Sequence, residues 1–428
     1  MQVFQAYRAG LILVAVFMMG VSGCATSADR LPKPTPTPIN MVKDMPEAEP
    51  DLMPAPAPVI TTPPPVSSAL PPKDDPAPHV EIPVYESPLT ALPSWQELDH
   101  RPALSAVRRS CQRWSHAAVT DYLNPHLPDY GTYGDWGDTC DLALLLGNSK
   151  QEAKQFFENQ FVPVMLLSAA NETGLLTGYY QPEISVRRKA DTVFSEPILA
   201  VPAQQLVQNY PRGKLGAKSS RVIAYGRPID VFFMQIQGSG IIRFKDGKRI
   251  RAAYNGNNGF PYTSIGRVLI GRGAIGKDQS SKSDIEKWMA VAGPIKSRAL
   301  MNENKRYIFF KEQAIKPGEG PQGAMQVPLT DIGSMAVDPR YHPYGTVAYI
   351  QTRIPQEKGD YKGRETAVLL VAQDTGKAIK GAFRGDLYFG SGTDAGDRAG
   401  VMKHPAHWTI LLPRRLADRL AQRATQTS

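Results

Sequence analysis

Between Thr177 and Pro413 the chain is a succession of short runs rich in β-branched and aromatic residues, each closed by glycine, proline or asparagine. They are "TGYYQPEISV", "EPILAVP", "VFFMQIQGSGIIRF", "RIRAAYNG", "RYIFFKE", "GTVAYIQTRI", "TAVLLVAQD" and "HWTILLP". Such side chains lose rotamer freedom in a helix and pack well on a pleated surface, so each run predicts a strand. One helix is expected among them, after "SKSDIEKWM", with a capping box from Ser283 to Glu286. Two more are expected before them, "RPALSAVRRSCQRW" and "SKQEAKQFFENQFVPVML", the second opened by a capping box of Ser149 and Glu152. Strands and helices do not alternate, which excludes a doubly wound parallel sheet. A mainly β fold, a barrel or a pair of barrels, is the expectation.

The first hundred residues are of another kind. "MQVFQAYRAGLILVAVFMMGVSGC" carries Arg8 as its only charge, then an apolar run too short to span a membrane comfortably, then small residues. Val21-Ser22-Gly23-Cys24 looks like a bacterial lipobox, in which the cysteine is acylated and residues 1–23 are removed. No aspartate follows Cys24, a pattern resembling lipoproteins sent to the outer membrane, so the chain is expected to be anchored there by lipid. Residues 24–95 hold about half of the chain's 38 prolines. They read as a semi-rigid spacer that could reach roughly 200 Å fully extended, at about 3.1 Å per residue. Docking of this stretch to a partner is the sharper alternative. Cys111 and Cys140 remain, and in an exported protein a disulfide between them is the default. The net charge of +9 suits an anionic partner. The basic residues are scattered, with no zinc-finger, basic-heptad or RNP-like pattern, which argues against nucleic acid.

Several chemistries are disfavoured by spacing. His404 and His407 in "HPAH" supply half of a metal site, without the adjacent glutamate of a metalloprotease, so no metal is expected. "QGSG" is not a nucleophile elbow. The D-T-G at Asp374 suggests an aspartic protease, but its partial second copy, "TDIGS" at Asp331, lacks the needed Thr or Ser and lies too close for two lobes. By contrast, "QIQGSG" and "YNGNNGFPYTSIG" offer amide, hydroxyl and aromatic groups suited to sugar hydroxyls and N-acetyls. Turn chemistry is their plain alternative.

Taken in order, "LLTGYYQPEI", "VFFMQIQGSGIIRF", "YNGNNGFPYTSIGRVLI", "ALMNENKRYIFF", "VPLTDIGSMAVDPRYHPYGT" and "VAQDTGKAIKGAFRGDLYFGSGTDAGDRAG" resemble the membrane-bound lytic murein transglycosylase A family, with its C-terminal 3D domain. The resemblance covers Cys111 to Trp408. It implies a double-psi β-barrel from residues 96–181 and 321–428, including a 3D segment at 334–413, and a smaller barrel inserted at 182–320, with a glycan groove between them. It implies a cofactor-free lytic exotransglycosylase, a carbon–oxygen lyase. The bond cut is the β-1,4 link between N-acetylmuramic acid and N-acetylglucosamine in peptidoglycan, giving a 1,6-anhydromuramic product at the periplasmic face of a Gram-negative outer membrane. Asp386 matches the family's catalytic acid, with Asp374 and Asp338 as supporting aspartates. Tyr179, Gln237, Ser239, Tyr262 and Thr263 are candidates for lining the groove. Gly385 stands where relatives often carry a bulkier residue, and is expected to affect packing rather than chemistry.

One carboxyl suffices when the substrate's own hydroxyl replaces water, but it must be protonated near neutral pH, so burial must raise its pKa. Lys380 and Arg384 would oppose that rise and are expected to point away. A hydrolase on the same scaffold, and a non-enzymatic wall-binding lipoprotein, are the alternatives. A cell-wall synthesis or hydrolysis complex is a further candidate partner.

Overall fold

The computed structural model describes residues 88–164, 173–276 and 281–427, with side chains to residue 423. The signal-like run, Cys24 and the proline-rich stretch to residue 87 lie outside the described residues. The tail of the expected spacer is folded: Leu89 and Trp95 are buried in the main core. Among the described residues, no helix is long and apolar enough to cross a membrane.

Helix α1 (Arg101–Trp114) starts with Pro102, whose missing amide costs nothing in a first turn, and buries Ala103, Leu104, Val107 and Cys111 on one face. Cys111 is disulfide-bonded to Cys140 of α2 (Gly137–Leu145), the pairing expected. Helix α3 (Lys150–Gln160) opens on the expected box: Ser149 Oγ accepts from the Glu152 amide at 3.2 Å, and Glu152 Oε2 accepts from the Ser149 amide at 3.1 Å. The helix stops earlier than the sequence suggests, because "FVPV" becomes strand β1 (Phe161–Val164), with Pro163 unable to donate to a continuing helix.

The remaining elements follow in chain order as β2 (Gly174–Gln181), β3 (Glu183–Arg187), β4 (Glu196–Leu199), α4 (Gln205–Gln208), β5 (Val222–Gly226), α5 (Pro228–Gln237), β6 (Gly240–Arg243), β7 (Arg249–Asn257), α6 (Ile265–Gly271), α7 (Lys282–Glu303), β8 (Ile308–Gln313), β9 (Ser334–Val337), β10 (Val347–Ile354), β11 (Arg364–Asp374), β12 (Arg384–Ser391), α8 (Thr393–Ala399), β13 (Lys403–Pro413) and α9 (Arg414–Thr427). A seven-stranded sheet runs β1-β13-β10-β11-β9-β12-β2, and β13 also pairs with β2, which closes it into a barrel with β1 outside the ring. The pairs β11/β9 and β12/β2 are parallel and the others antiparallel. Leu176, Val337, Leu370 and Leu387 belong to its core and are fully buried. A six-stranded sheet runs β4-β5-β3-β6-β7-β8 around Ile184, Val186, Ile198, Ile242 and Phe310. Its ends are drawn together by Tyr307, whose hydroxyl donates to the Pro197 carbonyl on β4 at 2.9 Å. The fold is therefore mainly β, with two barrel-like sheets and few helices.

Two sequence expectations fail instructively. "VFFMQIQ" is helix α5, not strand. Pro228 opens it, Asp230 sits in its first turn, and Gly238 at φ 86° ends it as a left-handed cap. The run lacks alternation because the helix is buried on two sides, Val231 and Met234 in one core and Phe232 and Phe233 in another. Helix α7 is capped by Ser281 and Asp284, not Ser283 and Glu286, while Glu286 pairs with Lys282 at 2.5 Å. It breaks at Gly293 (φ 79°), where Pro294 withdraws a donor.

Candidate active site

Asp374 and Asp386 are brought together by one small residue. In the ladders, Asp374 on β11 and Asp386 on β12 are both cross-strand partners of Ala336 on β9, which runs between them. Their Cα atoms are thus two inter-strand spacings apart, roughly 10 Å. On its other side β12 pairs in parallel with β2, matching Asp386 to Thr177 and Tyr388 to Tyr179. Alternation puts Leu176 and Leu387 into the core and leaves Thr177, Tyr179, Asp386 and Tyr388 on the opposite face. That face forms one wall of a 610 Å³ cavity whose lining also includes Gln235, Gln237, Ser239, Tyr254, Tyr262 and Arg306 from the segment containing the second sheet.

The two carboxylates are bound differently. Asp374 accepts the Ala324 amide on Oδ1 at 2.9 Å and the Tyr179 hydroxyl on Oδ2 at 3.1 Å. Burial raises its pKa, and those bonds together with the Thr375 amide oppose the rise. Asp386 accepts the Thr177 hydroxyl on Oδ1 at 2.6 Å, the one hydrogen bond to its carboxyl among the described residues. Burial pushes Asp386 up to about 6, with the negative charge of Asp374 adding to the rise and the Thr177 hydrogen bond and the Arg384 charge restraining it.

Lys380 is exposed, as expected, but Arg384 does not point away. Its Nη2 donates to Thr177 Oγ1 at 2.8 Å, one hydroxyl removed from Asp386. Because Arg384 occupies a lone pair of that oxygen, the single Thr177 proton is directed to Asp386. Thr177 is invisible to motif reading, although its place two residues before Tyr179 on a strand marks it as sharing that face.

Tyr179, Gln237, Ser239 and Tyr262 line the cavity, and Thr263 does not. The Thr263 amide instead bonds Asn304 Oδ1 at 3.2 Å, ahead of α6. Gln237 Oε1 accepts the Tyr180 amide and Ser239 Oγ accepts from Gln181, so both are partly committed to the protein. Gln235 Nε2, by contrast, is buried without a partner among the described residues. Asp338 lies outside the cavity, fully buried, with Arg340 Nη2 at 2.7 Å and the Gly381 amide at 3.0 Å. Burial would raise its pKa, but those hydrogen bonds and the Arg340 charge leave it lowered. It holds the loop that leads into β12. His342 supports the same loop from below, donating through Nε2 to the Ala382 carbonyl at 2.6 Å and stacking on Trp408.

The geometry disposes of two other readings. Asp331 lines a different cavity from Asp374, so the D-T-G and "TDIGS" aspartates cannot share a proton. The threonine of the D-T-G anchors structure, its hydroxyl donating to the Val337 carbonyl at 2.8 Å. His404 is buried and His407 exposed on β13, on opposite faces of the strand, so they cannot ligate one metal.

Comparison with known proteins agrees with this layout. Residues 175–311 match the MltA specific insert domain and residues 333–412 the 3D domain, together about half of the chain. Membrane-bound lytic murein transglycosylase A of Escherichia coli K12 is 36% identical over 239 residues, 53% of this chain and 62% of that protein, so the match spans about three fifths of that relative's length. The crystal structure of a membrane-bound lytic murein transglycosylase from Agrobacterium tumefaciens is 29% identical with a TM-score of 0.65, covering 78% of this chain and 98% of that one. E. coli MltA with bound chitohexaose is 28% identical with a TM-score of 0.56, covering 72% and 90%. The chain belongs to the MltA family, named for the membrane-bound lytic murein transglycosylases.

Proposed function

We propose that this protein cleaves the β-1,4 bond between N-acetylmuramic acid and N-acetylglucosamine in peptidoglycan, without water, and that Asp386 is the one catalytic carboxyl. The observation that carries this reading is the contrast between the two aspartates: both Asp374 oxygens are hydrogen-bonded, whereas Asp386 keeps Oδ2 open and its pKa is raised to about 6. A protonated Asp386 donates to O4 of the departing glucosamine as the C1–O4 bond breaks. The carboxylate then takes the proton from the C6 hydroxyl of the muramic residue while its oxygen bonds C1. Asp386 ends as it began, and the 1,6-anhydro ring closes with no second carboxylate to position a water. Tyr254 and Tyr262, half-exposed in the cavity, suit the faces of sugar rings, and the orphaned Gln235 amide is a donor for a sugar oxygen. The chitohexaose bound by the E. coli relative supports a glycan in this groove. Acylation of Cys24 and a proline-rich spacer would place the groove within reach of the wall from the outer membrane. Digestion of purified sacculi tests the reading: anhydro-ended muropeptides are expected from the native enzyme and none from Asp386→Asn. Reducing muramic ends would establish the hydrolase alternative instead.

A further inference from the structure

The cavity has an uneven charge balance. Its lining contains two carboxylates, Asp374 and Asp386, and four cations, Arg212, Arg306, Lys311 and Lys377. Arg212 is buried and committed, donating to the Asn304 and Arg306 carbonyls and to Gln235. Lys311 is exposed on β8, the same segment as Arg306, whereas Arg306 and Lys377 come from different segments. Arg306 lies between α7 and β8, in the segment containing the second sheet, and its guanidinium is steadied by one bond, from Nη1 to the Phe260 carbonyl at 3.0 Å. Lys377 stands three residues beyond Asp374, in the loop leaving the closed barrel. Neither makes an ion pair among the described residues, although many cations of this chain do, Arg298 with Glu196 and Arg340 with Asp338 among them. Two cations from different segments therefore line one cavity without an ion pair of their own, against two carboxylates of which Asp386 has a raised pKa. Partial burial, with the charges of Arg306 and Lys380 adding to it, holds the Lys377 ammonium below its usual pKa.

Lys377 is exposed and Arg306 half-buried, so an anion entering between them gains attraction from both charges at little further desolvation of the lysine. We propose that Arg306 and Lys377 form a subsite for a carboxylate on the side arm of a muramic acid residue lying in the groove. The inference rests on the glycan-cleaving reading above and adds a substrate feature to it. Muramic acid differs from glucosamine by a lactyl ether arm, which ends in a carboxylate when the strand is peptide-free and continues into a carboxylate-bearing peptide when it is not. An Arg and a Lys together present a planar fork and a point charge to such a group. The subsite would distinguish murein from a neutral N-acetylglucosamine polymer and would fix which of the two alternating sugars sits beside Asp386.

The test reads binding, not turnover, on an Asp386→Asn background. Three ligands are compared by calorimetry: peptide-free strands, peptide-bearing strands, and peptide-free strands whose lactyl carboxylates have been converted to neutral amides. Neutralisation should weaken binding about tenfold, which is about 1.4 kcal/mol, and raising the salt should shrink that gap. Adding Lys377→Gln and Arg306→Gln should bring the ratio between charged and neutral strands toward one, while Lys377→Arg should keep it. The peptide-free and peptide-bearing arms show which carboxylate is read. Equal binding of charged and neutralised strands, or a preference that survives both substitutions, overturns the proposal. Should the double substitution impair folding, the salt titration on the Asp386→Asn protein with both cations intact decides independently. A protein that prefers charged strands yet yields no anhydro product keeps the subsite and loses the lyase reading; cleavage without charge preference does the reverse.

Discussion

Thr177 is the most informative position to perturb, because its hydroxyl bridges Arg384 and Asp386. Replacing it with valine keeps the branched shape on β2 and deletes the hydroxyl that donates to Asp386 Oδ1 at 2.6 Å. A hydrogen bond to a charged group is worth about 1.5–3 kcal/mol, and one pKa unit corresponds to about 1.36 kcal/mol. The ionised form of Asp386 is the one that loses stabilisation, so its pKa should climb from about 6 by roughly one unit, the lower end applying because the Arg384 charge remains. At pH 8, where about 1% of the native acid is protonated, about 10% of the variant's would be. The basic limb of the kcat/KM profile, which reports the free enzyme's essential acid, should move up by the same unit when activity is followed from about pH 5 to about pH 9. Thr177→Ser, which retains the hydroxyl, should leave the limb in place. A limb that stays put in Thr177→Val, or moves down, would refute the relay from Arg384 through Thr177 to Asp386.

Three further outcomes follow from the same geometry. Asp386 has a folded pKa raised to about 6 against about 3.9 in the unfolded chain. The native state holds its proton more tightly, so that stabilisation is present below about pH 4 and lost as pH rises through about 6. Asp386→Asn, which cannot ionise, should therefore exceed the native protein in urea-unfolding stability by about 3 kcal/mol at pH 8, with the gap closing toward pH 4; a gap independent of pH would contradict the raised pKa. Gly385→Ala should lower thermal stability by about 1–3 kcal/mol, since a Cβ there would lie 2.8 Å from two carbons of the Trp408 ring and 3.0 Å from Leu176 Cδ1. Replacing Cys111 and Cys140 by serine opens a crosslink with a sequence separation of 29 and should cost about 3 kcal/mol of unfolding free energy.

Much of this is legible in the sequence. A strand is legible where a short, continuous apolar run with β-branched residues ends at a turn signal, as in "TAVLLVAQD", and the Ser149–Glu152 cap is readable because its donors and acceptors are local. "VFFMQIQ" misled because it is apolar on every side, and period cannot distinguish a doubly buried helix from a strand. The aspartates stood out by residue type and motif. What brings Asp374 and Asp386 together is Ala336, a residue with no chemistry, working through strand order that no local pattern encodes. Thr177 was hidden for the same reason, since its partner lies 209 residues away in β12. Arg384 does not take the expected outward orientation because the parallel pairing of β12 with β2, which no local pattern shows, presents it to Thr177. Thr263 misses the cavity that its neighbour Tyr262 reaches, its amide being held by Asn304.

The central claim is that Asp386 acts twice on the substrate's own hydroxyl, with no water consumed. The direct measurement is digestion of purified sacculi in heavy-oxygen water, followed by mass analysis of the released muropeptides. Anhydro-ended products without heavy oxygen, abolished by Asp386→Asn, are the result predicted. Products that carry one heavy oxygen at a reducing muramic end, or anhydro products that persist in Asp386→Asn, would contradict it.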